Sequence, residues 1–335
     1  MRAPEIFLFL SLICVAPVPA LSALHEVREV HYQMGTFVEL TLWHSDPDVA
    51  RRLLRSAVQE VHRLEEILSN FDPDSSVSRF NRQSGKGKMN IPPELFELLG
   101  IAQRFSAHTS GDFDVTVGPL VDLWREALSQ GLLPDRDAVA RAQRQVGFEK
   151  LKLYGGGEAE LLLPGMKIDF GGIGKGYAVD RVVQRFIAAG IGSALINFGG
   201  SSIFGVGAPP GEPSWEVGLQ GTDGALRGVI HLRDMALSTS GSMGKFWTID
   251  GKRYGHLIDP KSGIPVSDSR MATVITFSAT VAEALTKPLV LRGEKALPVA
   301  TRFGGTEAVV ISAEGPPLFS RGFRSKARWQ EIPSS

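Results

Sequence analysis

The residues best suited to chemistry lie in one short stretch, Lys167 to Asp180, which reads KIDFGGIGKGYAVD. A carboxylate, Asp169, runs into a dense turn of Gly171, Gly172, Gly174 and Gly176 that holds one cation, Lys175. From Tyr177 to Ala189 the apolar residues Val179, Val182, Val183, Phe186 and Ile187 recur at helical spacing, so the order predicted is strand, glycine turn, helix start. That order lets backbone N–H groups face a bound anion, most often phosphate. Glycine suits such a turn where a Cβ would block a close approach or where φ must be positive. A tight turn carrying a solvated lysine explains the stretch alone equally well. Asp169-Phe170-Gly171 spells the kinase magnesium triplet, but the upstream lysine and catalytic-loop motifs are missing. Gly174-Lys175 is followed by Gly176 where a P-loop needs Ser or Thr.

A second polar cluster runs from Ser238 to Val266 and carries His256 and Asp259, three apart and just before Pro260. Imidazole titrates near neutral pH and so suits proton removal. A lone histidine is more often structural, but here it shares a run with Thr239, Ser240, Ser242 and Tyr254. Earlier in the chain, Asp112 and Asp114 flank Phe113, an arrangement that sets carboxylates beside a ring. Solvated turn residues would show the same spacing. Phe71 and Phe80 sit in a polar loop, Ser69 to Asn81, where they either cover a planar ligand or anchor the loop.

The elements that position these residues are legible by periodicity. Val27 to Trp43 alternates as strands broken at Gln33 to Thr36. Asp46-Pro47 opens a helix to about Leu68, and Pro92-Pro93 opens another to about His108. A helix is predicted over Asp135 to Val146 and another over Thr280 to Leu291, with strands at Ser193 to Phe198, Met271 to Phe277 and Glu307 to Ser312. No linker or internal repeat divides the chain, so residues 24–335 read as one domain of two lobes.

Composition bounds the rest. The 335 residues are 43% apolar and 21% charged with zero formal net charge, which gives no electrostatic case for nucleic acid. Arg2, the apolar run Ile6 to Val15 and the small-residue exit at Ala20 or Ala23 read as a secretory signal peptide, residues 1–23. The mature protein is therefore expected outside the cytoplasm, in the periplasm, with no membrane span. The single cysteine, Cys14, lies within that signal behind Ile13, a poor lipoprotein context, so the mature chain has no thiol chemistry.

Met34-Gly35-Thr36, Ser69 to Asn81, Gly111 to Trp124, Asp169 to Asp180, Asn197 to Gly200, Thr239-Ser240-Gly241 and His256 to Pro260 together resemble, in order, the ApbE family of FAD:protein FMN transferases. The resemblance implies an α+β fold, with mixed sheets flanked by helices and FAD in a cleft between two lobes. It implies transfer of FMN from FAD to a threonine hydroxyl of an exported or membrane acceptor protein, releasing AMP. FAD binding without transfer and FAD pyrophosphatase activity are the alternatives. By position, Met34, Phe71, Asp112, Phe113, Asp114, Asp169, Lys175 and Ile258 would line FAD. His256 would be the catalytic base, with Asp259 to orient it.

The family also implies magnesium, held by the Gly172 carbonyl and by side chains of the late helix. Here the sequence departs from the pattern. Where the family usually has D-A-L-x-T, this chain has Glu283-Ala284-Leu285-Thr286-Lys287. Glutamate is one methylene longer than aspartate, and a protonated lysine has no acceptor with which to bind a metal. Either Glu283 and Thr286 rearrange around magnesium, or Lys287 takes over part of its charge, or catalysis is lost.

Overall fold

The computed structural model describes residues 23–241, 246–249, 251–267 and 269–332. The signal segment to residue 22, Ser242 and the final residues from 333 lie outside these. An eight-stranded antiparallel sheet forms the frame, in the order His25–Gln33, Thr36–His44, Ser193–Phe198, Ser202–Gly207, Met235–Gly241, Arg270–Thr276, Glu307–Ser312 and Leu318–Phe319. Alternation along these strands supplies two apolar faces. Leu40, Ile196, Phe204, Ala236, Val274 and Val310 point to one core; Ile203, Leu237, Ile275, Val309 and Ile311 point to the other.

Seven helices of seven residues or more stand among the described residues: α1 (Pro47–Leu68), α2 (Ser76–Arg82), α3 (Pro93–His108), α4 (Gly118–Ser129), α5 (Arg136–Arg144), α6 (Gly174–Ala188) and α7 (Ala279–Arg292). Helices α1, α6 and α7 bury their apolar faces in the first core. A smaller sheet, Trp215–Gln220 with Leu226–Leu232 and Gln330–Glu331, closes the second. No described helix is long and apolar enough to cross a membrane.

Local chemistry explains the element boundaries. Asp46 caps α1 by accepting from Asp48 N at 2.8 Å and Val49 N at 3.2 Å, with Pro47 in the first turn. Met34 and Gly35 turn the first hairpin at φ 50° and 70°, and Glu65 of α1 pins that turn by accepting from Met34 N at 2.9 Å. The stretch 69–81 is not all loop. Ser75 Oγ accepts from Ser78 N at 3.1 Å and starts α2, which buries Val77 and Phe80, so Phe80 is an anchor. The lead into Asp169 is not a full strand: it forms a single parallel bridge, Val117 to Lys167. Asn81 holds that lead in place, donating to Ile168 O at 3.1 Å and accepting from Ile168 N at 2.7 Å.

Candidate active site

The glycine turn opens α6, and its glycines serve close packing rather than unusual torsions. None of Gly171, Gly172, Gly174 and Gly176 is among the positive-φ glycines of the chain. A Cβ on Gly176 would lie 2.3 Å from the Ala279 carbonyl oxygen, so α6 and α7 cross nearly backbone to backbone there. Asp180, one turn further along α6, fastens the crossing. Its carboxylate accepts from the N–H groups of Ala279 at 2.7 Å and Thr280 at 2.9 Å and from the Ser278 hydroxyl at 2.6 Å. Three of the turn's four glycine N–H groups are engaged within the protein. Gly171 N donates to Asp169 Oδ1 at 2.7 Å, Gly174 N to Phe170 O at 2.8 Å, and Gly176 N to Glu283 Oε2 at 2.6 Å. Glu283 is thus the anion that the protein itself places at this helix start, and the glycines let the two helices brace one another there.

Around that joint stand two lysines. Lys175 Nζ contacts Glu283 Oε1 at 2.8 Å, and Glu283 is only 1% exposed. The attraction of Glu283 holds the Lys175 ammonium above its ordinary range despite burial. Burial pushes Glu283 up, but Lys175 and Lys287 outweigh it and keep its carboxyl low. Lys287 extends from α7 to donate to Ser240 Oγ at 2.8 Å, Thr286 Oγ1 at 3.2 Å and the Glu283 carbonyl at 3.3 Å. Burial brings its pKa down to about 8, so it stays mostly charged at neutral pH. Its stem lies over Gly172, where an added Cβ would meet Lys287 Cε at 3.1 Å and the Phe113 ring at 3.5 Å.

The other expected residues divide between this joint and a second knot. Asp112 and Asp259 are tied together by Arg292, the last residue of α7. Its guanidinium reaches Asp112 Oδ1 at 2.8 and 3.0 Å and the two Asp259 oxygens at 2.8 and 3.0 Å. Lys261 adds a contact to Asp112 at 2.7 Å. Burial raises Asp259, but Arg292 and the Lys261 N–H overcome it and hold its carboxyl low. Asp259 therefore braces its loop against Arg292 rather than orienting His256 as expected. His256 itself is exposed, at the end of a hairpin of Phe246–Ile249 and Lys252–Gly255. Its position is set by Gly255 N to Val266 O at 3.0 Å and Val266 N to Leu257 O at 2.8 Å, with Ile258 bridged to Pro265. Trp124 of α4 donates to Gly263 O at 2.7 Å and holds the same loop from beneath.

Asp114 does not line an open site. It is buried, accepting from Thr116 N at 2.8 Å, Thr116 Oγ1 at 2.7 Å and Phe148 N at 2.9 Å, and that burial raises its pKa. Phe113 is buried too, edge-on to Phe105 at 6.1 Å. Met34 reaches within 3.9 Å of where a Gly174 Cβ would stand. Phe71 is 81% exposed, with the Arg125 guanidinium over one face of its ring, 5.1 Å from the centroid. Ile258 packs beside Trp124 and Tyr254. Arg292 carries no motif in the sequence, whereas Ser240, Asn81 and Asp180 lie within motif stretches and only their contacts are hidden there. Their partners lie up to 180 residues away, and no local pattern signals them.

The donor set does not fit magnesium. Such an ion requires octahedral oxygen ligands at about 2.1 Å. Both Glu283 oxygens are taken by Lys175 and Gly176 N, and Thr286 Oγ1 donates to the Glu283 carbonyl at 2.6 Å. An ammonium stands among the remaining oxygens. No group of three or more His, Cys, Asp or Glu able to hold a metal occurs among the described residues.

These features define an α+β protein with a cationic joint between two crossing helices and an exposed histidine on a separately braced loop. The chain belongs to the ApbE family, whose pattern matches residues 34–310. It is 29% identical over 326 residues to the FAD:protein FMN transferase of Treponema pallidum (strain Nichols), covering 90% of this chain and 89% of that one. Its fold is similar to the flavinyl transferase ApbE of Pseudomonas stutzeri in its apo form, at TM-score 0.80 and 27% identity, covering 92% of this chain and 98% of that one. The apbe protein of Thermotoga maritima is similar at TM-score 0.81 and 26% identity, covering 91% of this chain and all (100%) of that one.

Proposed function

We propose that this protein is an FAD:protein FMN transferase that moves FMN from FAD to a threonine hydroxyl of an acceptor protein and releases AMP. One observation carries the reading: the family pattern spans residues 34–310, and within it Lys175 stands fixed at the helix joint while His256 stands exposed on a braced loop. In the reaction, the threonine oxygen forms a new bond to the phosphorus of the FMN half. The bond from that phosphorus to the AMP oxygen breaks, and AMP leaves. Positioning and charge neutralisation supply most of the rate in such a displacement. Lys175, whose ammonium is held charged by Glu283, meets the pyrophosphate charge. His256 accepts the threonine proton, help typically worth about 10²–10⁴ in rate. Asp112 and Asp259, clamped by Arg292, fix the loops that carry Phe113 and His256. Exposed Phe71 offers a face for the flavin ring.

Magnesium has no role in the step derived from these residues. The N-terminal segment supports export, which would place the acceptor in the periplasm or on the outer face of the inner membrane. A second reading, FAD binding without transfer, is favoured by Lys287 at the position where the family resemblance expects a metal ligand. Incubating the protein with FAD and a threonine-bearing acceptor domain separates the readings. Transfer gives a fluorescent acceptor band and an equivalent of AMP. Hydrolysis gives FMN and AMP without a band, and simple binding gives neither.

A further inference from the structure

Glu283 faces more positive charge than it can neutralise. Lys175 alone suffices, at 2.8 Å from one of its oxygens, while the other oxygen is filled by Gly176 N at 2.6 Å. Lys287 is left with neutral partners: the Ser240 and Thr286 hydroxyls and the Glu283 carbonyl. It forms no ion pair among the described residues. Enclosing an ammonium away from water is unfavourable unless an opposite charge answers it. Lys287 is half-buried beside Gly172, with its stem where a side chain at that position would strike it. Glu283 balances one of the two ammoniums; the only other carboxylate of the glycine turn, Asp169, accepts from Gly171 N and makes no ion pair with Lys287.

We propose that the Lys287 ammonium is a resident cation occupying the place of the divalent ion, so that the protein holds a pyrophosphate between Lys175 and Lys287 without magnesium. This rests on the transferase reading above, which supplies FAD as the pyrophosphate. The two longer contacts of Lys287, at 3.2 and 3.3 Å, are the ones a phosphate oxygen replaces, while the 2.8 Å contact to Ser240 keeps the side chain aimed. The role is a charge contact, because a protonated lysine offers donors and no coordination sites. Ser240 acts as a positioning residue through Lys287.

The test uses calorimetric titration of the purified protein with FAD, in EDTA and in excess magnesium, beside electron paramagnetic resonance of added Mn²⁺. FAD affinity should agree within about twofold between EDTA and magnesium, since no coordination set awaits the ion. The free Mn²⁺ signal should fall no further with protein and FAD than with FAD alone. Lys287→Met, which keeps the stem and removes the charge, should weaken FAD binding about 10- to 100-fold, the worth of a charge-assisted hydrogen bond. The inference is overturned if magnesium tightens FAD binding about tenfold or more, if protein and FAD together deplete free Mn²⁺ stoichiometrically, or if Lys287→Met binds FAD like the wild type. The two wild-type measurements need no variant to fold. Absence of FAD binding under both conditions would overturn the functional reading, and this inference with it, whereas magnesium-dependent binding would overturn this inference alone.

Discussion

Replacing Gly176 with alanine tests the helix joint on which the site is built. Within a helix, Gly→Ala ordinarily stabilises by about 0.5–1 kcal/mol, because alanine loses less backbone entropy on folding. Here the added Cβ would stand 2.3 Å from the Ala279 carbonyl oxygen and 2.6 Å from its carbon, where ordinary contact begins at 3.4 Å. Both atoms are backbone, pinned by the bonds from Ala279 and Thr280 to Asp180, so relief requires α6 and α7 to part by about 1 Å. Overpacking of this kind costs about 1–3 kcal/mol. The Gly176 N–H bond to the Glu283 carboxylate would lengthen at the same time, and a hydrogen bond to a charged group is worth about 1.5–3 kcal/mol. Less the propensity gain, Gly176→Ala should destabilise by about 2–5 kcal/mol. Gly100→Ala in α3 is the control, because its Cβ would meet Leu153 Cδ1 at 3.6 Å and Arg104 Nη1 at 4.0 Å, both in ordinary contact. That variant should gain about 0.5–1 kcal/mol. Urea unfolding followed by circular dichroism reads both. Equal effects of the two substitutions, or a stabilised Gly176→Ala, would refute the close-crossing account.

Arg292→Met should release the Asp112 and Asp259 loops together and cost about 1–3 kcal/mol in urea unfolding. Arg292→Lys should not restore the loss, because an ammonium cannot bridge two carboxylates as a planar fork does; full rescue by lysine would count against the bridging role. Glu60, on α1, is 3% exposed and paired with Arg63 at 2.9 Å and Arg185 at 2.5 Å. Its hydrogen bond to Arg63 leads the causes that hold its pKa below the ordinary 4.5, with burial opposing. The stabilisation it gives is therefore complete above pH 4.5 and is lost as pH falls through the depressed folded value. Glu60→Gln should be less stable than wild type at pH 7, with the gap closing below pH 4.5; thermal melts at several pH values check it, and a constant gap would contradict the assignment.

The sequence made α1 and α3 plain, since each opens at a proline and carries a full apolar face to its end. Helices α2 and α4 were harder to see. They start within Ser-, Asp- and Gly-rich stretches whose local preference is for turns, and tertiary burial of Val77, Phe80, Leu120 and Trp124 decides the outcome. The glycine turn stands out in the sequence, but the packing that requires Gly176 comes from α7, a hundred residues further on, and spacing alone cannot reveal a helix crossing. Similarly, the pair His256 and Asp259 suggested a hydrogen bond between near neighbours, while Asp259 is claimed by Arg292 from another element. Lys287 was visible as a departure from the family pattern. Only its three neutral oxygen partners reveal that it points into the site.

The central claim is tested most directly by following acceptor mass and AMP release together, for wild type and His256→Ala, at saturating FAD. The account predicts one FMN added to a threonine of the acceptor for each AMP released by the wild type. It predicts that His256→Ala slows transfer about 10²–10⁴-fold, while FAD binds within a few-fold of wild type, because a general base acts in the transition state. Transfer by His256→Ala at the wild-type rate, or AMP release without any mass gained by the acceptor, would contradict it.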